Sequence, residues 1–438
     1  MPEAPAKDSK KYYLLSLGCP KNLADSERLS SALGVGGLAR AEAPEEAEVL
    51  IVNTCGFIED AKRESISEIL SLARLKSGSG KRKPKKLYVY GCLAGRYKDE
   101  LKKEIPEVDG FWGVGAAGEI AAALGCPEPS GPVEKPSTFP YAYLKIAEGC
   151  KRRCTFCAIP FIRGPLRNFP PQEIIAQAKA YLDAGIRELI LVSQDTASYD
   201  LKGYGLAQLV KDLVAIENNG SPFRIRLHYL YPSAVDKQLL EVIANNEKIA
   251  GYIDMPLQHS EERILRMMGR GGSAKEIRKK IALIRRTIPG VFIRTSFIVG
   301  FPGETEEDFR RLLDFMEEQA FEHAGAFMYS KEEGTASAKM PGQLPQSIKQ
   351  RRYDELMALQ AGISLEKNRT LVGKDFNVII DNIQKGMATG RLPGQSPDVD
   401  GVITFSAPKG KKLKPGDFVK VRVAEAFDYD LKGLITGD

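Results

Sequence analysis

Two textures of apolar positions alternate along most of this chain: short continuous apolar runs, and longer stretches with apolar residues at helical spacing. The runs at 12–17, 49–52 and 87–90 predict buried parallel strands, and the stretches at 57–75 and 97–105 predict the helices that cover them. After a Pro-rich segment the alternation resumes, with predicted strands at 142–147, 188–192, 225–230, 252–257, 292–299 and 324–329. Helices between them carry clear punctuation. Pro170-Pro171 opens one and Gly185 closes it, Ser273-Ala-Lys-Glu276 spells a capping box, and Thr305-Glu-Glu-Asp308 is a looser version. Residues 344–369 predict one long, charged amphipathic helix. Beyond 375 the texture changes to short alternating strands (376–380, 401–405, 418–423) divided by Gly, Pro and Asp, as in a small antiparallel barrel of the oligonucleotide-binding sort. The expected class is therefore α/β: an N-terminal open parallel-sheet domain over 11–126, a central partial (β/α)6 barrel over 136–367, and a small β-barrel over 369–438.

Composition refines this picture only slightly. At 438 residues, 43% hydrophobic and 27% charged, the chain has an ordinary globular make-up and ample core. No run approaches 18 apolar residues and residues 1–11 lack a signal-peptide core, so a cytoplasmic protein with no membrane partner is expected. Its formal net charge of +6 permits a nucleic-acid or ribosomal partner without demanding one. The run from Lys76 to Lys86, rich in Gly, Ser and Lys, predicts a solvated loop, and 127–140 a linker.

Cysteine placement changes the picture most. An odd number of cysteines, seven, in a reducing compartment favours metal binding over disulfides. Three of them, Cys150, Cys154 and Cys157, are spaced C-x3-C-x2-C. Three thiolates leave one iron of a cubane cluster open to chemistry, whereas electron-transfer clusters usually take four. The alternatives are chance clustering and a zinc site completed by a distant residue. Another three, Cys19, Cys55 and Cys92, each follow a predicted strand, at intervals of 36 and 37 residues. Loops at the carboxyl ends of parallel strands share one crevice, so these three can meet although far apart in sequence; the alternative is three unrelated core cysteines. Cys126 fits neither set.

The same logic points to the other strand ends: Ser193-Gln194-Asp195-Thr196, His228-Tyr229, Gln258-His259, Arg294 and Gly300-Phe-Pro-Gly303-Glu304. For each polar residue, ordinary loop capping is the competing explanation. Neutral supporting roles fit His228 and His259 better than metal ligation. The basic run Lys151-Arg152-Arg153 either offsets a cluster's charge or is a solvated face.

The C-x3-C-x2-C loop with Phe156 resembles the signature of the radical S-adenosylmethionine superfamily. With Ser16-Leu-Gly-Cys19-Pro-Lys-Asn22, Asn53-Thr-Cys55, Gly91-Cys92-Leu and Gly300-Phe-Pro-Gly-Glu304, nearly the whole chain resembles the methylthiotransferase family within it. Asp254-Met-Pro-Leu-Gln258-His259 and Gly390-Arg391…Pro397-Asp-Val-Asp-Gly401 resemble the branch acting on a ribosomal protein; the tRNA branches carry Gln-Ser-Gly-Ser where Gln258-His259 stands. The resemblance implies an N-terminal second-cluster domain, a radical core, a C-terminal TRAM barrel, S-adenosylmethionine and two [4Fe-4S] clusters. It assigns radical generation to Cys150, Cys154 and Cys157, with Phe156 beside them; position at the strand ends, rather than the resemblance, places Gln194, Asp195, Gln258, Arg294, Gly300 and Gly303 around the cofactor, the glycines admitting its adenine. Cys19, Cys55 and Cys92 would hold the cluster that presents sulfur. It further implies, as substrate, an aspartate β-carbon of the twelfth small-subunit ribosomal protein, and an electron donor such as flavodoxin or ferredoxin. A tRNA substrate is the alternative. The near-neutral charge of residues 369–438 (11 basic, 9 acidic) disfavours it, and the Asp398-Val-Asp400 turn is expected to repel phosphate and attract a basic protein.

Overall fold

The computed structural model describes residues 10–77, 86–128, 131–133, 139–407 and 412–436. Most of the predicted solvated loop and much of the linker lie outside the described residues. Two compact units form: 1–137 with 148–152 and 157–167, and 138–147 with 153–156 and 168–438.

In the first unit, five parallel strands form a sheet in the order Ala39–Arg40, Lys11–Ser16, Val49–Thr54, Lys86–Gly91, Gly110–Trp112. Both faces are covered, which is why Val49–Thr54 is buried at every position. Leu50, Val52, Leu87 and Val89 pack against Ile69, Leu72 and Ala73 of the helix Glu59–Ser77. On the other face Val49, Ile51, Tyr88 and Tyr90 meet Leu29 and Leu33 of the helix Pro20–Val35, together with Ile120. The outermost strands Ala39–Arg40 and Gly110–Trp112 escaped the sequence reading because two or three residues carry no periodicity. Cys126 is core, packed where a side chain on Gly36 would otherwise stand.

The second unit contains six parallel strands: Tyr141–Lys145, Glu188–Val192, Arg224–Leu227, Tyr252–Asp254, Phe292–Val299 and His323–Met328. They pair as two three-stranded sheets, with one isolated bridge continuing from Ile225 to Ile249. Both predicted capping boxes are present, Ser273 with Glu276 and Thr305 with Asp308. The helix Gln346–Arg369 departs from the amphipathic expectation. Its buried stripe is Lys349, Arg352, Leu356, Gln360, Ser364 and Asn368, almost wholly polar. Those side chains donate to loop carbonyls, including Lys349 to Tyr329 (2.8 Å), Ser364 to Glu322 (3.0 Å) and Asn368 to Phe427 (2.9 Å). A buried donor is tolerated where an acceptor meets it.

The C-terminal segment closes as a five-stranded barrel: Asp375–Gln384, Met387–Arg391, Ile403–Ser406, Leu431–Ile435 and Phe418–Ala426. It belongs to the same compact unit as the six strands. Its loop from Arg391 to Asp400 meets the starting ends of those strands, and with Asn377 it reaches the first residue of all six. Tyr141 donates to Asp398 (3.2 Å), Glu188 accepts from Arg391 (2.5 Å), and Arg224 donates to the carbonyls of Arg391 (3.4 Å) and Asn377 (2.7 Å). Tyr252 donates to Asp400 (2.7 Å), and His323 lies 2.8 Å from the Gly394 carbonyl. Phe292 packs so tightly on Gly394 that an added Cβ would sit 2.2 Å from its ring.

Candidate active site

Cys19, Cys55 and Cys92 stand at the carboxyl ends of three adjacent strands. Cys19 caps the helix Pro20–Val35, while Cys55 and Cys92 directly follow Thr54 and Gly91, which are register partners. Gly18, at φ +89°, makes the close approach possible, because a Cβ there would meet Cys55 Cβ at 2.7 Å and Sγ at 2.9 Å. The three thiols are near enough to act on one another electrostatically. Burial opposes ionisation of Cys19, yet Lys21, Arg163 and the Asn22 and Lys21 amides hold it below the usual thiol range. Burial pushes Cys55 up, and Cys92 up to about 11. Among the described residues no three such groups form a single-ion site. A cubane asks for something else, because each thiolate takes its own iron. Three clustered thiols beside two cations suit that anionic group.

Asn22 holds the three loops together. Its amide nitrogen donates to the carbonyls of Leu17 (2.8 Å) and Thr54 (3.0 Å), its amide oxygen faces Cys92 Sγ (3.7 Å), and its backbone carbonyl accepts from Asn53 (2.7 Å). Ser65 clamps Cys55 by bonding both its N–H (3.0 Å) and its carbonyl (2.9 Å). Neither role follows from sequence spacing. The signal available was an Asn three residues after Cys19.

The C-x3-C-x2-C loop is anchored at several points. Cys150 donates its N–H to Gly164 (3.1 Å), and its Sγ accepts from the Arg152 N–H (3.3 Å). Thr155 bonds Met268 and Met267, and Arg270 lies 4.0 Å from Cys154 Sγ. Phe156 packs against Ile264, Met268, Ile298, Phe301 and Tyr329. None of the seven cysteines is joined in a disulfide, and the three of this loop are partly accessible. Lys151 and Arg153 are exposed, as a solvated face would be.

At the finishing ends of the six strands, Gln194 is half-buried, and Asp195 accepts from Ser198 (2.5 Å). Gln258 takes φ +73°, a left-handed conformation that strains a non-glycine residue. Beside it His259 is buried; its Nδ1 accepts from the Glu261 N–H (3.0 Å), and its Nε2, 4.0 Å from Glu304 Oε1, has no hydrogen-bond partner among the described residues. Ser260 Oγ and Glu304 Oε1 are likewise buried without one, although Arg352 lies 3.3 Å from that Glu304 oxygen as an ion pair. Such atoms fit a polar cofactor's donors and acceptors. Gly300 and Gly303 have φ of +75° and +76°, so backbone conformation demands glycine. At Gly300 the space for a Cβ is filled by the stem of Lys349, not left open to a ligand.

Arg294 is placed differently from expectation. It is third in the strand Phe292–Val299, at the end opposite Gly300, and its guanidinium pairs with Asp254 (3.5 Å) and Asp400 (3.3 Å). The Asp398-Val-Asp400 turn is also engaged internally: Asp398 accepts from Tyr141 and Tyr143 (3.0 Å to the latter), Asp400 from Tyr252, Arg294 and the Ser396 N–H. These carboxylates are not offered to a partner. His228 bonds Ser396 (2.7 Å), and burial lowers its pKa to about 4, so it is neutral.

The six-strand core with its cysteine loop defines a radical S-adenosylmethionine protein. The radical SAM superfamily model matches residues 144–316, uncharacterized protein family UPF0004 matches 11–113, and the TRAM domain matches 372–435. Among solved structures, the radical S-adenosylmethionine methyltransferase TsrM from Kitasatospora setae, with cobalamin and a [4Fe-4S] cluster bound, superposes with TM-score 0.57 over 87% of this chain and 80% of its own. At 12% identity this likeness is one of fold. The chain is 48% identical over 437 residues to the ribosomal protein uS12 methylthiotransferase RimO of Thermodesulfovibrio yellowstonii, covering 97% of this chain and all of the relative. It is 45% identical to that of Aquifex aeolicus (97% of each chain) and 44% to that of Pelotomaculum thermopropionicum (97% and 98%). The chain belongs to the radical S-adenosylmethionine methylthiotransferase family, in its RimO branch. No helix among the described residues is long and apolar enough to cross a membrane.

Proposed function

We propose that this protein is a methylthiotransferase that modifies ribosomal protein uS12, joining sulfur and a methyl group to the β-carbon of an aspartate. Its cofactors are S-adenosylmethionine and two [4Fe-4S] clusters. The observation that carries this reading is the convergence of Cys19, Cys55 and Cys92 at three adjacent strand ends, in a chain that also bears the C-x3-C-x2-C loop. Near-full-length likeness to proteins named for uS12 supports the substrate.

In this reading Cys150, Cys154 and Cys157 hold one cluster, and Phe156, Gln194, Asp195, Gln258 and Gly303 surround S-adenosylmethionine, while Gly300, where the stem of Lys349 fills the Cβ space, shapes the backbone turn instead. Arg294 belongs instead to the joint with the C-terminal barrel. When bound, the clusters and S-adenosylmethionine supply the electron, the hydrogen-abstracting radical, the sulfur and the methyl group. The chain's own work is placement. Asn22 and Ser65 hold the cysteine loops, and Thr155 and Phe156 seat the second loop, so that reacting atoms are held in position. A cytoplasmic location and an electron donor such as flavodoxin or ferredoxin complete the proposal.

The test offers reconstituted enzyme the ribosomal protein and tRNA in separate reactions, read by mass spectrometry. A methylthio mass gain on uS12 is expected; a gain on tRNA alone overturns the substrate. Changing Cys150, Cys154 and Cys157 to Ala should leave roughly half the iron and no cofactor cleavage. The Cys19, Cys55 and Cys92 to Ala variant should cleave S-adenosylmethionine without inserting sulfur.

A further inference from the structure

One buried cation links the cysteine loop to the strand-end cysteines. Arg163 lies six residues beyond Cys157, in the short apolar helix Ile159–Arg163, and its side chain is 1% exposed. Its guanidinium donates to Asn22 Oδ1 (2.5 Å), Glu148 (2.9 Å) and Asp25 (3.3 Å). It also acts on Cys92 and Cys19, whose negative charge, with that of Asp25 and Glu148, raises its pKa against the opposing effect of burial. The amide it grips is the one that ties the loops of Cys19, Cys55 and Cys92. A guanidinium is permanently charged, and burying one is costly unless anions and acceptors surround it. Here two carboxylates outnumber it before any thiolate is counted. Removing it would leave the Asp25 and Glu148 carboxylates, about an eighth exposed, without the cation they share with the cysteine site.

We propose that Arg163 is a positioning residue for the N-terminal cysteine site: through Asn22 it fixes the three cysteine loops, and its buried charge sets the reduction potential of the cluster they hold. The inference rests on the reading of Cys19, Cys55 and Cys92 as cluster ligands. Net charge and hydrogen bonding around the sulfurs tune an iron–sulfur potential, and more local negative charge makes reduction harder.

The experiment uses the full chain with Cys150, Cys154 and Cys157 changed to Ala, so that only one cluster is loaded. Iron and acid-labile sulfide are counted, and the midpoint is followed by electron paramagnetic resonance during a redox titration. Arg163→Gln should shift the midpoint to lower potential and lose iron to a chelator several-fold faster. Arg163→Lys, which keeps the charge but not the fork, should leave the midpoint near that of the parent. Glu148→Gln should shift it the opposite way, to higher potential, which mere disruption of packing would not do. Unchanged midpoints, or shifts of one sign for Arg163→Gln and Glu148→Gln, would overturn the inference. A parent that loads no cluster on Cys19, Cys55 and Cys92 would overturn the reading beneath it instead.

Discussion

The two ends of the six-strand core are built on opposite principles. At the starting end, the first residue of every strand meets the C-terminal barrel, and the buried charges are paired with one another. Burial would raise the Glu188 carboxyl, but Arg391, Arg226 and Arg224 outweigh it and hold its pKa at about 2. Arg391 also makes a forked pair with Asp381 (2.7 and 2.8 Å). At the finishing end, Ser260 Oγ and His259 Nε2 are buried with no hydrogen-bond partner among the described residues, and Gln258 carries a left-handed backbone. One set of strands thus has an end tied to the C-terminal barrel by paired charges and an end where two neighbouring buried side chains make no such pairing.

That contrast can be broken or sharpened by experiment. Arg391→Met should have the largest effect, because it strands the Glu188 carboxylate among fewer cations and leaves Asp381 unpaired. The cost expected for breaking a buried pair is about 3–5 kcal/mol, read from the denaturant midpoint. A loss below about 1 kcal/mol would mean that the barrel loop is an ornament on the core.

A smaller effect should appear with pH. His228 is neutral with a pKa of about 4, against 6.5 for its ordinary value, because burial and the Arg226 and Arg294 charges outweigh Asp254 and Asp400. Between those two values the unfolded chain binds the proton and the folded chain does not. Stability should therefore fall as pH drops through that window, by up to about 3 kcal/mol. Melting curves of His228→Gln at pH 7 and 4.5 should show a flatter dependence than the parent. Equal slopes would show that His228 is not the group responsible.

The smallest stability change belongs to the open end. Ser260→Ala removes a hydroxyl with no hydrogen bond to lose, so the melt should move by no more than about 0.5 kcal/mol. S-adenosylmethionine binding should weaken several-fold, as one hydrogen bond of about 1 kcal/mol implies. If stability falls and binding does not, the two ends are not the contrasting pair described here.

Much of this architecture was readable before any coordinates. The strands Glu188–Val192 and Phe292–Val299 fall on their predicted bounds because each is rich in β-branched and large apolar residues and lies between clear helix stops. Both capping boxes form because their hydrogen bonds are local. Met387–Arg391 was missed, since Met-Ala-Thr-Gly-Arg has little strand character by itself and gains it only from its barrel neighbours. Arg294 was misplaced because a charged residue in an apolar strand reads as functional whichever end of the barrel it occupies.

By itself the sequence determined the parallel α/β plan, the presence of a small C-terminal β-barrel and the two cysteine triplets, which depend on periodicity, spacing and position at strand ends. It also determined the family, through motifs that keep their order along the chain. Tertiary structure alone decided which polar side chains complete one another: Asn22 with three separate loops, Arg163 with Asp25 and Glu148, Arg391 with Glu188 across 203 residues. The reason is physical. A buried charge is acceptable only beside its partner, and no rule of local spacing says which distant residue folding will bring there.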